Sequence, residues 1–337
     1  MSVGVSKDRI ALRVSRREVA AALMAMLCAQ PFFVAAQDKF PSKPIRVIVP
    51  FPPGGINDTV ARPILTKMGE IMQTSFVVEN RPGASGTIGT SAAARSDADG
   101  YTLLLGAAST MAVVPHLIKA LPYSPTGDFV AVGGLASVPS VLITAKPEKF
   151  SDLSAIKTEG AAGKKQLTFG SAGAGTSHHM QMVLLNMKTG WSMMHVPYKG
   201  SGPAMGDLLG GQIDFLLDPL PTALPQVQAG KVKPIGISST QRSSLLPNVP
   251  TFQELGVKDF EVNTWFGLFA PVKTPKPVID QIYKALDAAL SDPSIAKTMQ
   301  SRGMDTLRKS PDEMNKYVVR ENVLWKDVIG KEKISID

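Results

Sequence analysis

Two segments of the chain join an apolar strand, a glycine-rich turn and the start of a helix, an arrangement suited to binding an anion. The first covers residues 45–59 and the second covers residues 167–178. Glycine lets backbone N–H groups face a ligand without an intervening Cβ, and a helix N-terminus adds unpaired donors and partial positive charge. Two such turns in distant parts of the chain predict two lobes that close on one carboxylate or phosphate. The alternative is that both are ordinary strand–helix turns of an α/β protein.

The sequence motifs of common enzyme classes are incomplete. Residues 160–165 lack the spacing and the hydroxyl of a P-loop, and residues 170–175 reverse the order of a dinucleotide-binding glycine motif. Residues 83–86 are one residue short of a nucleophile elbow. Adjacent His178 and His179 project to different sides of a helix, so they do not form a paired metal site. We therefore expect no catalytic site, no metal and no cofactor.

Short apolar runs alternate with helical patterns and predict an α/β protein whose mostly parallel sheet is covered by helices on both faces. Helical periodicity is clear over residues 278–290, and Ser310 and Glu313 have the spacing of a capping box at the start of a terminal helix. Ligands of such sheets bind beyond the carboxyl ends of the strands, where both glycine turns lie. The strand candidates are Ile45–Val49, Phe76–Val78, Thr102–Leu105, Val141–Thr144, Leu167–Phe169, Ile213–Leu217 and Ile235–Ser238.

The amino terminus has the pattern of an export signal. A basic stretch that ends in Arg16 and Arg17 precedes an almost uncharged run from Val19 to Ala36. Small residues before the predicted cut place cleavage after Ala36, so that residues 1–36 form a signal peptide. The paired arginines resemble a twin-arginine signal, and a general secretory signal fits the pattern equally well.

Composition agrees with an exported globular protein. Cys28 is the only cysteine and lies within the predicted signal, so the mature chain is expected to have no disulfide and no thiol chemistry. Loss of residues 1–36 lowers the net charge from +8 to +5, a mild excess that suits an anionic solute. The basic residues form no block, which argues against nucleic-acid binding. About 300 mature residues normally divide into two domains.

The order of several short blocks resembles the substrate-binding proteins of tripartite tricarboxylate transporters, the Bug family. The blocks cover nearly the whole mature chain in order. Two departures are the Ala84-Ser85-Gly86 run, where a glycine-richer run is common, and Asp218-Pro219-Leu220, where Asp-Asn-Leu is commoner. The matching blocks are Val47–Gly55 with Asp58 and Ala61-Arg62, Val78–Gly89, Asp99–Leu104, Gly170–His178, His195–Gly200, Gly211–Asp214, Asp218 and Asn248–Thr251.

This resemblance implies a two-lobed periplasmic-binding-protein (Venus flytrap) fold whose hinge is crossed twice, near residues 137–141 and 260–264. Lobe 1 is expected to contain residues 38–140 plus 261–337, and lobe 2 residues 141–260. The resemblance also implies a monomeric periplasmic receptor that captures a small carboxylate and delivers it to integral-membrane permease subunits. A sensor partner of a membrane kinase and a periplasmic enzyme acting on a carboxylated substrate are the alternatives. Tricarboxylates, C4 dicarboxylates, amino acids and aromatic acids all fit the sequence.

Candidate ligand-binding residues of the first lobe surround the first glycine turn. Amides around Gly55 are expected to receive a carboxylate, while Asp58 caps the following helix or orders water. Phe51 would offer an apolar wall to an aromatic acid. The full set is Phe51, Gly54, Gly55, Ile56, Asp58, Ser85 and Gly86.

Candidate residues of the second lobe centre on the second glycine turn, which supplies amides and hydroxyls. Asp218 either accepts a hydrogen bond from a ligand amine, hydroxyl or bound water, or caps a turn. His178 is either a ligand donor or a partly buried helix residue, and Tyr198 is either a wall of the site or a structural aromatic. Lys199 is expected to be a solvated surface charge, and Trp265 to pack in the core. The full set is Ser171, Gly173, Gly175, Thr176, His178, Tyr198 and Asp218.

Overall fold

A computed structural model describes residues 40–161 and 166–334. The predicted signal peptide lies outside these residues. The described chain forms two mixed β-sheets flanked by helices, which confirms a two-lobed α/β fold. We call the six-stranded sheet with its helices lobe 1 and the five-stranded sheet with its helices lobe 2.

The strands of lobe 1 lie in the order β11-β4-β10-β3-β1-β2, and those of lobe 2 in the order β7-β6-β8-β5-β9. Their bounds are β1 Ile45–Val49, β2 Phe76–Asn80, β3 Thr102–Ala107, β4 Phe129–Val138, β5 Ser140–Thr144, β6 Thr168–Ser171, β7 Met194–Pro197, β8 Phe215–Pro219, β9 Lys233–Ile237, β10 Thr264–Pro271 and β11 Asp305–Thr306.

Helices cover the sheets and begin, at several points, directly after a strand. Short 3₁₀ segments occur at Ala84–Gly86 and Val114–His116, and a π-helical turn at Ser109–Val113. The α-helices are α1 Ile56–Met72, α2 Thr87–Ala94, α3 Leu153–Ala161, α4 Ser177–Thr189, α5 Ser201–Leu209, α6 Leu220–Gln228, α7 Lys276–Ser291, α8 Pro293–Gln300 and α9 Pro311–Glu332.

Local sequence accounts for the helices nearest the core. In α1, Val60, Ile64 and Met68 recur at four-residue spacing and are fully buried, because side chains so spaced share one helix face. The capping box at the start of α9 is confirmed, since Ser310 accepts from the Glu313 N–H and Glu313 accepts from the Ser310 N–H. Trp265 is also in the core, where its indole N–H donates to Glu321 at 3.1 Å.

The sheets are mixed, whereas the sequence predicted mostly parallel ones. In lobe 1, β1 pairs in parallel with β2 and β3, while β10 runs antiparallel to both β3 and β4. In lobe 2, β5 runs antiparallel to β8 and β9. The antiparallel pairs arise because β4, β5 and β10 carry the chain between the lobes and do not follow the strand–helix–strand alternation.

The chain passes between the two sheets at neighbouring positions. One passage is the single residue Pro139 between β4 and β5, and the other ends at Thr264, which pairs with Val138. Gln181 of α4 joins these passages, because its side chain accepts from the Ser140 hydroxyl at 2.7 Å and lies 3.4 Å from the Thr264 hydroxyl. All three side chains are buried.

Within residues 40–161 and 166–334, we find no helix with the length and apolar character needed to cross a membrane.

Candidate functional site

A cleft of about 520 Å³ lies between the lobes and receives residues from both. Lobe 1 contributes the turn after β1 together with the ends of β3 and β10. Lobe 2 contributes the beginnings of α4, α5 and α6. The lining residues are Phe51, Pro52, Pro53, Gly55, Ile56, Asn57, Ala107, Ser109, Thr264 and Phe266 from lobe 1, and Ala172, Thr176, Ser177, His178, Lys199, Gly200, Ser201, Gly202, Pro219 and Thr222 from lobe 2.

Asp58 organises the first glycine turn from a buried position. Its carboxylate accepts from the Gly54 N–H at 3.0 Å and from the Asn80 side chain at 2.9 Å, and it pairs with Arg62 at 2.9 Å. Burial alone would raise the pKa of Asp58, but the hydrogen bonds from Asn80, Gly54 and Arg62 lower it. Asp58 is therefore ionised at neutral pH and fixes the turn that leads into α1.

The start of α1 lines the cleft and has no side-chain cap. Gly55 is the N-cap and has no side chain to accept hydrogen bonds from its amides, so first-turn N–H groups lack intrahelical partners. Gly54, with a φ of +80°, needs the conformational freedom of glycine, whereas Gly55 has a φ of −80°. Asn57 lies beside these amides, and its buried Oδ1 has no hydrogen-bond partner.

The second glycine turn is fixed by side chains of its own lobe. Thr176, the N-cap of α4, donates to the Gly173 carbonyl at 2.7 Å. The Gly175 N–H donates to Nδ1 of His179 at 3.1 Å. Gly175 has a φ of +74° and Gly173 a φ of +133°. Residues other than glycine rarely adopt these backbone conformations. This network holds the start of α4 against the cleft.

Three stacked aromatic rings, those of Phe169, His195 and His179, pack beside the second glycine turn. The His179 and His195 rings lie 3.8 Å apart at 16°, and Phe169 stacks on His195 at 5.0 Å. The Ser171 hydroxyl lies 2.7 Å from Nε2 of His195. Burial lowers the pKa of His179 to about 3, with His195 nearby adding to the effect, and burial lowers the pKa of His195 to about 4. Both rings are therefore neutral at pH 7.

A buried carboxyl group lies behind the lobe 2 wall. Asp218, at the end of β8, is 2% exposed and accepts from the hydroxyls of Thr222 and Ser201. His178 Nδ1 lies 4.0 Å from its Oδ1. Burial raises the pKa of Asp218 despite His178 and these hydroxyls, and burial lowers the pKa of His178 despite Asp218. The three partners of Asp218 all line the cleft, so Asp218 orients the polar wall.

The structure places the sequence-predicted residues in two layers. Phe51, Gly55, Ile56, Thr176 and His178 line the cleft. The others stand behind it: Gly54, Asp58, Ser171, Gly173, Gly175 and Asp218 through the contacts above, and Gly86 through its packing against Phe51 and Thr110. Ser85 adjoins Gly86 and has a φ of +53°. Direct ligand contact by any of these residues stays a prediction.

Tyr198 has a partner inside its own lobe. Its hydroxyl donates to Asp207 at 2.7 Å, and its ring packs against the apolar cluster of lobe 2. Burial, together with that hydrogen bond, raises the pKa of Tyr198 to about 12. This geometry favours the structural interpretation of Tyr198 over a wall of the site.

Of the ten lobe 2 residues that line the cleft, sequence reasoning predicted only Thr176 and His178 as site residues. Lys199 is exposed, as expected of a solvated charge, and it also lies at the cleft with Gly200, Ser201 and Gly202. The signal was available, because this glycine-rich stretch follows β7 and opens α5 in the pattern of the two recognised turns. Ser109, Thr264 and Phe266 carried no local signal, since tertiary structure alone brings them to the cleft.

The described residues contain no group of three or more histidine, cysteine or acidic side chains arranged to bind a metal ion. The geometry instead provides backbone donors, hydroxyls and helix N-termini, a set that suits an anion held without a metal.

Fold and cleft define a two-lobed α/β binding protein. The profile of the tripartite tricarboxylate transporter family receptor matches residues 60–334. Protein BugT of Bordetella pertussis (strain Tohama I) is 35% identical over 293 residues, covering 87% of this chain and 90% of BugT. The chain therefore belongs to the tripartite tricarboxylate transporter receptors, the Bug family of periplasmic solute-binding proteins.

Solved structures of similar proteins agree with this family assignment. The periplasmic binding protein BugD is 34% identical with a TM-score of 0.78, over 88% of this chain and 99% of BugD. A protein of R. palustris with adipate is 30% identical with a TM-score of 0.81, over 88% of this chain and 99% of that one. MatC from Rhodopseudomonas palustris with bound malate is 33% identical with a TM-score of 0.77, over 86% of this chain and 100% of MatC. The family and these neighbours are substrate-binding receptors.

Proposed function

We propose that this protein captures a small carboxylate between its two lobes and delivers it to the permease subunits of a tripartite transporter, without chemical turnover. The observation that carries the proposal is the convergence of the N-termini of α1, α4 and α5 on one cleft, which the start of α6 also lines. The starts of α1, α4 and α5 all contribute lining residues. Each N-terminus has unpaired donors and roughly half a positive charge.

The charges around the cleft favour an anion. None of its described lining residues is acidic, and the Asp58 charge is neutralised by Arg62 and two hydrogen-bond donors. Hydrogen bonds to a charged carboxylate are about twice as strong as neutral ones. Two solved relatives hold carboxylates, adipate in one and malate in the other, which supports the same class of ligand here.

The proposed mechanism is closure of the lobes on the ligand. Lobe 1 would comprise residues 38–140 plus 261–337 and lobe 2 residues 141–260, with the hinge at the two neighbouring passages. Closure removes the carboxylate from water and so strengthens its hydrogen bonds to the helix N-termini. We propose that the receptor acts as a monomer in the periplasm.

We also propose export with cleavage after Ala36. Mature protein isolated from the periplasm should then begin at Gln37, and an N-terminal sequence that starts at Met1 would contradict export. Replacing Arg16 and Arg17 by lysine should block export if the twin-arginine route operates. Unchanged export would assign the general secretory route.

Binding is tested by reversing the electrostatics at the start of α1. Asn57→Asp adds a negative charge beside the candidate amides and should weaken carboxylate binding at least tenfold, since a like charge nearby opposes an anion. The matched control is Asn315→Asp, because Asn315 is half-buried far along the chain on α9 and its Oδ1 already accepts a hydrogen bond from Ala131. Calorimetry with adipate, malate, citrate and benzoate measures both variants.

Equal loss of affinity in Asn57→Asp and Asn315→Asp would argue against the α1 site. If the wild-type protein binds none of the carboxylates, and none raises its melting temperature, receptor function is contradicted. Delivery to a permease is tested by uptake in a deletion strain. Loss of gene induction with normal uptake would assign a sensor role instead, and consumption of the added acid by purified protein would indicate an enzyme.

A further inference from the structure

The two walls of the cleft differ in chemistry. Lobe 2 presents hydroxyls, a histidine and Lys199, with only Ala172 and Pro219 as apolar side chains. Lobe 1 contributes mainly apolar residues, of which Phe51 and Ile56 are half-buried. The apolar lining residues of lobe 1 are Phe51, Pro52, Pro53, Ile56, Ala107 and Phe266.

The apolar wall is built rigidly. Phe266 is 1% exposed in the central strand β10 and Ala107 is buried at the end of β3, so these two side chains support the wall from behind and offer little surface to a ligand. Phe51 is half-buried, and Gly86 packs so closely behind its ring that an added Cβ would lie 3.2 Å from it. The side chain of Phe51 therefore keeps a fixed surface toward the cleft, which suits a flat apolar group.

The cleft lining contains few side chains with a full positive charge. Lys199 is the only lysine or arginine among the described lining residues, and it is exposed at the rim of lobe 2. His178 is kept neutral by burial, which lowers its pKa. A carboxylate at the start of α1 meets the helix N-termini, but a second carboxylate against the apolar side chains of lobe 1 would lose its hydration, because those side chains offer it no hydrogen-bond donor.

We propose that the preferred ligand is a monocarboxylate with an apolar, preferably aromatic, body. The carboxylate binds between the start of α1 and the helix N-termini of lobe 2, and the body lies against Phe51 and Ile56, the two half-buried apolar side chains of the lobe 1 lining. This inference rests on the proposed function as a carboxylate receptor and names the class of acid. It distinguishes this chain from a receptor whose two walls both bind charged groups.

The test uses matched pairs of acids that differ in one carboxylate. Benzoate is compared with terephthalate, and hexanoate with adipate, by calorimetry on the mature protein. Each monocarboxylate is expected to bind at least tenfold tighter than its dicarboxylate partner, and benzoate tighter than hexanoate. Equal or tighter binding of terephthalate and adipate would overturn the inference while leaving the receptor function intact. If none of the four binds, and citrate and malate also fail, both proposals are wrong.

Phe51→Leu tests the aromatic wall. This variant should weaken benzoate binding about tenfold, as expected for loss of an aromatic contact, and change hexanoate binding less than threefold. Phe76→Leu is the matched control, because Phe76 is also half-buried against the lobe 1 core but does not line the cleft. Equal effects of Phe51→Leu on benzoate and hexanoate, or equal effects of the two variants, would contradict a role for the ring.

Discussion

The His179 and His195 rings stack beneath the second glycine turn at 3.8 Å, where two protonated rings would repel each other. Burial lowers the pKa of His179 to about 3 and that of His195 to about 4, below their ordinary value of 6.5. The unfolded chain therefore binds protons below pH 6.5 that the folded chain does not. The stabilisation that comes from keeping these two rings neutral is fully present above pH 6.5 and is lost as the pH falls toward 4.

His195→Gln should flatten this pH dependence, because glutamine can still hydrogen-bond Ser171 but does not titrate. We expect the decrease in the free energy of unfolding between pH 6.5 and 4.5 to be smaller in the variant by on the order of 2 kcal/mol. Urea unfolding across that range measures it, and Gln181→Asn provides a control that alters a buried polar contact without removing a titrating group. Parallel curves for wild type and His195→Gln would show that His195 is protonated in the folded state.

At the scale of elements, the glycine turns orient the helix N-termini. Gly175 combines a φ of +74° with an N–H that donates to His179. Gly175→Ala should lower the free energy of unfolding by about 1–2 kcal/mol through backbone strain. It should also weaken benzoate or adipate binding about tenfold, because relaxation of the turn moves the start of α4.

Gly330→Ala is the control for that substitution. Gly330 lies inside α9 without a positive φ and with open space around its Cα, so alanine should be neutral or slightly stabilising there. Chemical unfolding and calorimetry of both variants decide the matter. A Gly175→Ala protein with wild-type stability and affinity would show that the turn tolerates a side chain.

The sequence predicted those strands and helices whose signals lie within the element itself. β1 has the predicted bounds Ile45–Val49, and the capping box at Ser310 opens α9 as expected. β4 was missed because Gly133 and Gly134 interrupt its apolar run. These glycines are needed because the segment around Leu307–Lys309 crosses them, and a Cβ on Gly134 would lie 2.4 Å from the Leu307 carbonyl oxygen. No sequence window contains both partners of that contact.

The residues of the candidate site also divide into those with a local sequence signal and those that only tertiary contacts bring together. The turn of Gly54 and Gly55 and the turn at Gly175 were recognisable because strand, glycine and helix are adjacent in sequence. The pairing of His179 with His195 was not recognisable, since their stacking depends on the parallel register of β6 and β7. Sequence thus located both glycine turns beside the cleft but not the side chains that fix the second one, nor Phe266 in the lining.

At the scale of the whole molecule, ligand binding should reduce the overall size. With saturating benzoate or adipate, whichever binds tighter, we expect a smaller radius of gyration in X-ray scattering, because the lobes approach across the cleft. Asn57→Asp, titrated with the same ligand, should need at least tenfold more of it to reach the smaller size. Identical curves for wild type with and without ligand would contradict closure of an open form.

The two passages between the lobes lie side by side, with Val138 paired to Thr264 and Gln181 joining both. If the lobes close as proposed, two passages that lie side by side would act as a single hinge and confine the motion of the lobes to one rotation. The measured affinity for any acid is then its intrinsic affinity multiplied by the population of the closed state. Substitutions at Gln181 should accordingly scale the affinities for all acids by one common factor, whereas substitutions in the cleft walls change their ratios. In this molecule, overall affinity and selectivity can vary independently.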